Sequence, residues 1–199
     1  MPTIFSHSLP HNTQRIKVLC AGIASLILML GIARFAYTPI LPLMQQQAGL
    51  GIAEGGWLAA FNYVGYFCGA LIAANISDLA KKDRLYRLGL IVALVTTMSL
   101  GLTQNFWLWS ILRFFSGLSS AAGLLLGSGL VMHWLLRHQL RSELGIHFIG
   151  MGAGIFLTAL FVYLFSDQIS WQQHWFWLTA LGVLLAMPAW FWLPKPDTS

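Results

Sequence analysis

Residues 18–44 read VLCAGIASLILMLGIARFAYTPILPLM, and Arg34 is the single charge among them. About 20 apolar residues carry a helix across the ~30 Å hydrocarbon core of a bilayer, so the stretch is long enough to span one. It also exceeds the roughly 7–15 apolar residues of a cleaved leader. Residues 1–17, polar and carrying Arg15 and Lys17, are therefore read as a cytoplasmic tail ahead of an uncleaved first helix.

Outward from that stretch, five more spans follow at 57–77, 88–104, 106–134, 144–166 and 174–193. DLAKKDRLYR parts the second from the third, LRHQLRSE the fourth from the fifth, and SDQISWQQH the fifth from the sixth. Only TQN at 103–105 parts the third from the fourth, which predicts a tight hairpin. Residues 18–193 thus form one six-helix bundle, with 194–199 as a second cytoplasmic tail. Composition agrees: 9% of residues are charged and 57% hydrophobic, with a mean hydropathy of +0.71, whereas soluble domains carry about a quarter charged residues. A soluble enzyme is excluded, and the scattered basic residues make no nucleic-acid face. Cys20 and Cys68 fall at different depths, no Cys/His spacing suggests a metal, and no cofactor is implied.

Charge sets direction. Arg15, Lys17, Lys81, Lys82, Arg84, Arg87, Arg137, Arg141 and Lys195 all lie on one side, while the other holds Glu54 and Asp167 and no Lys or Arg. Basic loops face the cytoplasm, which places both termini inside, in a bacterial inner membrane. All nine tryptophans fall near span ends, where indole rings form interfacial belts. Small residues four apart, Gly65/Gly69/Ala73, Ser119/Gly123/Gly127 and Gly150/Gly154, form ridges that let helix backbones approach.

Two basic residues, Arg34 and Arg113, lie inside spans, ~15 and ~10 Å from the outer surface at 1.5 Å per residue. A lipid-facing guanidinium there costs at least about 2.5–3.5 kcal/mol, and no acid lies deep in any span to neutralise it. Structural answers are snorkelling to the interface or capping carbonyls freed by Pro39 and Pro42. The functional answer is a cationic cavity for an anionic or polar solute. Tyr37, Asn62 and Tyr66 are its candidate neighbours, and Tyr63 is set off their face. Asn62 reads equally as a helix–helix hydrogen bond, and His147 as a packing histidine or a proton-linked group.

GIARFAYTPILPLMQ and EGGWLAAFNYVGYFCGALIAA, with RFFSGLSSA at 113–121, carry a family resemblance. The chain resembles the N-terminal half of a major facilitator superfamily (MFS) transporter of the YbfB/YjiJ type. That resemblance implies an all-α fold of two inverted three-helix repeats, with the first and fourth helices lining the cavity. Arg34-Phe35 and Arg113-Phe114 then correspond. It also implies a gating loop in which Asp78 and Lys82 keep the family pattern while Ala74, Leu79 and Lys81 depart from it. Gly65/Gly69 and Gly150/Gly154 would face an opposite half, and LPKPDTS would begin the linker to it.

The implied activity is secondary transport, not catalysis, with the lipid bilayer, a small solute and a second half or second copy as partners. The rival is a truncated or non-transporting half, or one that works only as a dimer. An intramembrane serine protease is rejected, since Ser128 lies ~33 Å inward from Phe106 while His174 sits at the outer face.

Overall fold

The computed structural model describes residues 9–140 and 144–196, with side chains from residue 13 onward; Arg141 lies outside them. Six rods run back and forth, and no strand occurs among the described residues. The first joins α1 (Leu9–Leu26), a π-helical segment (Ile27–Phe35) and α2 (Tyr37–Ala48). Then come α3 (Ile52–Ala74) and α4 (Leu79–Leu100). The fourth rod joins α5 (Phe106–Ala121), a second π segment (Ala122–Gly127) and α6 (Ser128–Arg137), followed by α7 (Leu144–Phe165) and α8 (Trp171–Phe191).

Local signals set the ends. Gly49 closes α2 at φ 71°, a left-handed conformation that suits glycine, with its N–H on the Met44 carbonyl. Glu54 and Gln173 reach back to the backbone N–H of Gly51 and Ser170, both at 2.9 Å. Asp78 caps α4 through Ala80 N–H at 2.8 Å. Asn105 caps α5 through Trp107 N–H at 2.9 Å, which closes the expected hairpin after TQN. Each side-chain oxygen serves an N–H that the first helical turn leaves unpaired.

Helices outrun the expected spans. Helix begins at Leu9, inside what reads as a polar tail, and at Leu79 rather than 88. Backbone hydrogen bonding needs no apolar side chains, so a helix seeded in lipid continues into water. Thr13–Ala48, at 36 residues, is ~54 Å long, well beyond the hydrocarbon core. Among the described residues, five helices are long and apolar enough to cross a membrane. α4 matches their length, but five of its first nine residues are charged. One charged pair there anchors the basic end: Asp83 holds Arg87 at 2.9 Å, and Arg87 donates to the carbonyls of Trp190 at 2.6 Å and Leu193 at 3.2 Å. An i,i+4 Asp–Arg pair marks a helix, and that signal was present in the stretch read as a loop.

The glycine ridges are used within the bundle. A Cβ on Gly65 would strike the Phe114 carbonyl of α5, and one on Gly117 the Asn62 carbonyl of α3. Gly150 faces the backbone of Ile23, and Gly154 that of Ile27 and Gly31. The expectation that these ridges await an opposite half is corrected: α3 and α7 spend them on the fourth and first rods. Their outer faces are large instead, with Tyr63 and Phe67 on α3 and Phe156 and Tyr163 on α7 exposed. The tryptophan belt is also incomplete. Trp109, Trp171 and Trp175 are buried in an apolar core at the end of the bundle away from the basic residues of α4, where the Trp109 and Trp171 rings meet edge-on at 5.7 Å.

Candidate functional site

The π segment Ile27–Phe35 organises the site. Its wider hydrogen-bond register, with Pro39 following and lacking an N–H, leaves main-chain carbonyls under-used. Polar side chains from neighbouring rods take them. Ser120 donates to Met29 at 2.8 Å, Ser116 to Ala33 at 2.5 Å, and Thr158 to Gly31 at 3.4 Å. Arg113 then donates through Nη1 to the carbonyls of Ala33 (3.4 Å) and Arg34 (3.3 Å), and through Nε to that of Leu58 (3.4 Å).

Arg113 is 3% exposed, and its guanidinium lies over the Tyr37 ring at 4.3 Å. Tyr37 in turn donates to the Gly55 carbonyl at 2.9 Å. Asn62, equally buried, donates to the Arg113 carbonyl at 2.9 Å and to Ser116 Oγ at 3.4 Å. Of the two readings of Asn62, the geometry is that of the helix–helix hydrogen bond. Arg113, Tyr37 and Asn62 thus form one clamp joining the first rod, α3 and α5, with their polar atoms turned to the backbone. Ser116, absent from the sequence reading, belongs to it; a serine one turn after Arg113 was the available signal.

Arg34 is placed differently. Its guanidinium lies over the Tyr66 ring at 4.1 Å and those of Tyr63 and Phe35 at 5.2 Å each. Cation–π contacts of this kind contribute about 0.5–2 kcal/mol each. Tyr63 was set off this face from its spacing; the structure brings it in, because a long arginine side chain reaches both tyrosines from between them. Arg34 is half-buried, its Nε has no hydrogen-bond partner, and among the described residues no acid pairs with it. Apart from a side-chain bond to Tyr66, it leaves Nε unspent, while Arg113 has committed its donors to three carbonyls.

The remaining candidates stand apart from this cluster. His147 is fully buried, with Nε2 2.8 Å from Ser128 Oγ, an α7-to-α6 tie of the packing kind. Asp78 acts as the α4 cap, and Lys82 is half-buried on the first turn of α4. Among the described residues no group of His, Cys, Asp or Glu side chains has the arrangement of a metal site.

An all-helical polytopic membrane protein with a basic, aromatic-faced site on its first rod is the class this fold defines. The comparisons identify the family within that class. A family model described as "Uncharacterised MFS-type transporter YbfB" matches residues 26–199, and the chain belongs to that family of MFS transporters. It is 26% identical over 163 residues to the uncharacterized MFS-type transporter YceJ of Bacillus subtilis, covering 82% of this chain and 42% of that protein. To the cis,cis-muconate transport protein of Acinetobacter baylyi it is 23% identical, covering 93% of this chain and 44% of the other. To the uncharacterized transporter mfc1 of Schizosaccharomyces pombe it is 26% identical, covering 64% and 26%. The chain therefore spans less than half the length of these relatives.

Proposed function

We propose that this chain is the amino-terminal bundle of a secondary transporter for a small organic anion, with Arg34 as the residue that contacts the solute. Arg34 carries the reading, because it is a half-buried guanidinium between tyrosine rings with no acid partner. A carboxylate supplies the missing charge and accepts two parallel N–H bonds from a guanidinium. The relative named for cis,cis-muconate transport takes its name from a dicarboxylate, which agrees with that chemistry.

Tyr66 and Tyr63 hold the guanidinium in place and offer hydroxyls to a polar solute. Arg113, Tyr37 and Asn62 position the rod that carries Arg34. Movement of solute comes from rocking of this bundle against a second six-helix body around the site. That body is further chain, a second copy or a separate subunit; coverage of 42% and 44% of two relatives supports its existence. The membrane is the bacterial inner membrane and both ends face the cytoplasm, as the basic loops direct. His147 as a proton-linked group and the loop of Asp78 and Lys82 as a gate are subordinate to this assignment.

The test is solute uptake by the complete assembly in cells or proteoliposomes. Loss of a charge-assisted hydrogen bond costs about 1.5–3 kcal/mol, so Arg34→Ala should lower uptake at sub-saturating solute roughly tenfold or more. Arg34→Lys should retain part of it, and membrane insertion should be normal in both. Uptake by Arg34→Ala equal to wild type rejects the assignment.

A further inference from the structure

An apolar crevice of about 210 Å³ lies away from Arg34, on the exposed side of α3, α4 and α5. Ile72, Leu88, Val92 and Phe115 form its walls, and small residues, Gly69, Gly89 and Ser119, set its floor back. Ser119 is the one polar side chain in the lining, and its hydroxyl already donates to the Ser116 carbonyl at 2.8 Å. An occupant therefore meets hydrocarbon alone.

At one end of the crevice the chemistry changes. Lys81 stands on the same helical stripe as Leu85, Leu88 and Val92, at i+4, i+7 and i+11, with Lys82 and Arg84 on either flank. Lys81 and Arg84 are exposed and Lys82 is half-exposed. The nearby acids are engaged: Asp78 accepts the Ala80 N–H, and Asp83 is paired with Arg87. Lys81 and Val92 are ~16 Å apart along α4, about half of the ~30 Å hydrocarbon thickness. The crevice itself is lined on α4 from Leu85 to Val92, ~10 Å, and Lys81 lies one turn beyond its end, so a lipid with its phosphate at Lys81 would lay its acyl chain along the crevice.

We infer that this crevice is a binding site for one anionic phospholipid, with an acyl chain between α3, α4 and α5 and the phosphate on Lys81, Lys82 and Arg84. The charge of the mouth selects an anionic lipid, and the dry lining selects a chain rather than a polar solute. The site does not depend on the transport reading, since it faces lipid and shares no residue with the Arg34 cluster. Occupancy would fix the spacing of α4 against α3 and α5.

Native mass spectrometry of the purified chain, released from nanodiscs of equal phosphatidylglycerol and phosphatidylcholine with matched chains, tests it. Wild type should retain one phosphatidylglycerol with a preference of at least about fivefold. The triple variant K81Q/K82Q/R84Q should bring the ratio close to one. Val92→Trp, which fills the crevice, should reduce retention of both lipids several-fold. Should that variant not fold, Leu88→Trp replaces it, because Leu88 is 53% exposed and can change without repacking the interior. No preference in wild type, an unchanged ratio in the triple variant, or full retention in both folded tryptophan variants overturns the site. So does a second copy of the chain in place of lipid, seen as a dimer that Val92→Trp abolishes.

Discussion

Gly65→Val is expected to cost the folded bundle about 3 kcal/mol or more, lowering the melting temperature in detergent by roughly 6–12 °C. At Gly65 the α3 backbone meets the Phe114 carbonyl of α5, and at Gly117 the relation reverses, with α5 against the Asn62 carbonyl. Neither neighbour can swing aside, because both are main chain. A valine must part the helices, and parting them breaks the Asn62 bond to the Arg113 carbonyl and weakens the Arg113 bond to Leu58. Small residues carry this weight in membranes because helix association there has no hydrophobic drive and depends on close packing. Gly56→Val on the same helix is the control, since a Cβ there meets nothing within 4 Å and should change the melting temperature little. Equal melting temperatures for the two variants would remove the close-contact account.

Arg113→Ala is expected to separate membrane insertion from folding. Insertion becomes easier by about 2.5–3.5 kcal/mol when the guanidinium is removed. The folded bundle loses a clamp: the Arg34 and Leu58 carbonyls lose a donor, Ala33 keeps only Ser116, and a side-chain-sized cavity opens beside Tyr37. Each under-satisfied buried group costs about 1–3 kcal/mol, and the cavity adds to that. Relief of the buried charge offsets part of the loss, leaving about 3 kcal/mol of destabilisation. Arg113→Lys should recover little, because one ammonium cannot span carbonyls on two helices as a planar fork does. Arg34→Ala should cost less, about 1–2 kcal/mol, because this half-exposed side chain makes cation–π contacts and a side-chain bond to Tyr66 and caps no buried main-chain carbonyl. Thermal melts of the three purified variants, with a glycosylation-mapping assay of insertion, check the contrast. A stable Arg113→Ala beside an unstable Arg34→Ala would exchange the roles given to the two arginines.

The contrast shows where reading the chain alone stopped short. Both arginines stand in an Arg-Phe pair at comparable depth, so spacing treats them as equals. Their difference comes from what lies opposite: carbonyls loosened by the π segment for Arg113, aromatic rings for Arg34. A π register leaves no mark in hydrophobic periodicity, so the acceptors that claim Arg113 were invisible. Tyr63 was misplaced for a related reason, since helical phase locates a Cβ and not the reach of a long side chain from a neighbouring rod. Asn62 was left between two roles, and only the position of Ser116 and the Arg113 carbonyl decides between them.

Sequence by itself determined the solvent, the class and the back-and-forth order of the rods. Transfer of a side chain from water to hydrocarbon is a local, additive property, and twenty apolar residues in a row express it without reference to any neighbour. The caps at Gly51, Asp78, Asn105 and Ser170 are local too, because each serves N–H groups within three residues. Tertiary structure alone decided which faces meet. The glycine ridges close on rods of the same chain, three tryptophans enter the core, and one arginine is spent on backbone while the other lies among aromatic rings. Those outcomes depend on residues about 80 positions apart coming within bonding distance, and helical periodicity within one span carries no record of what stands across from it.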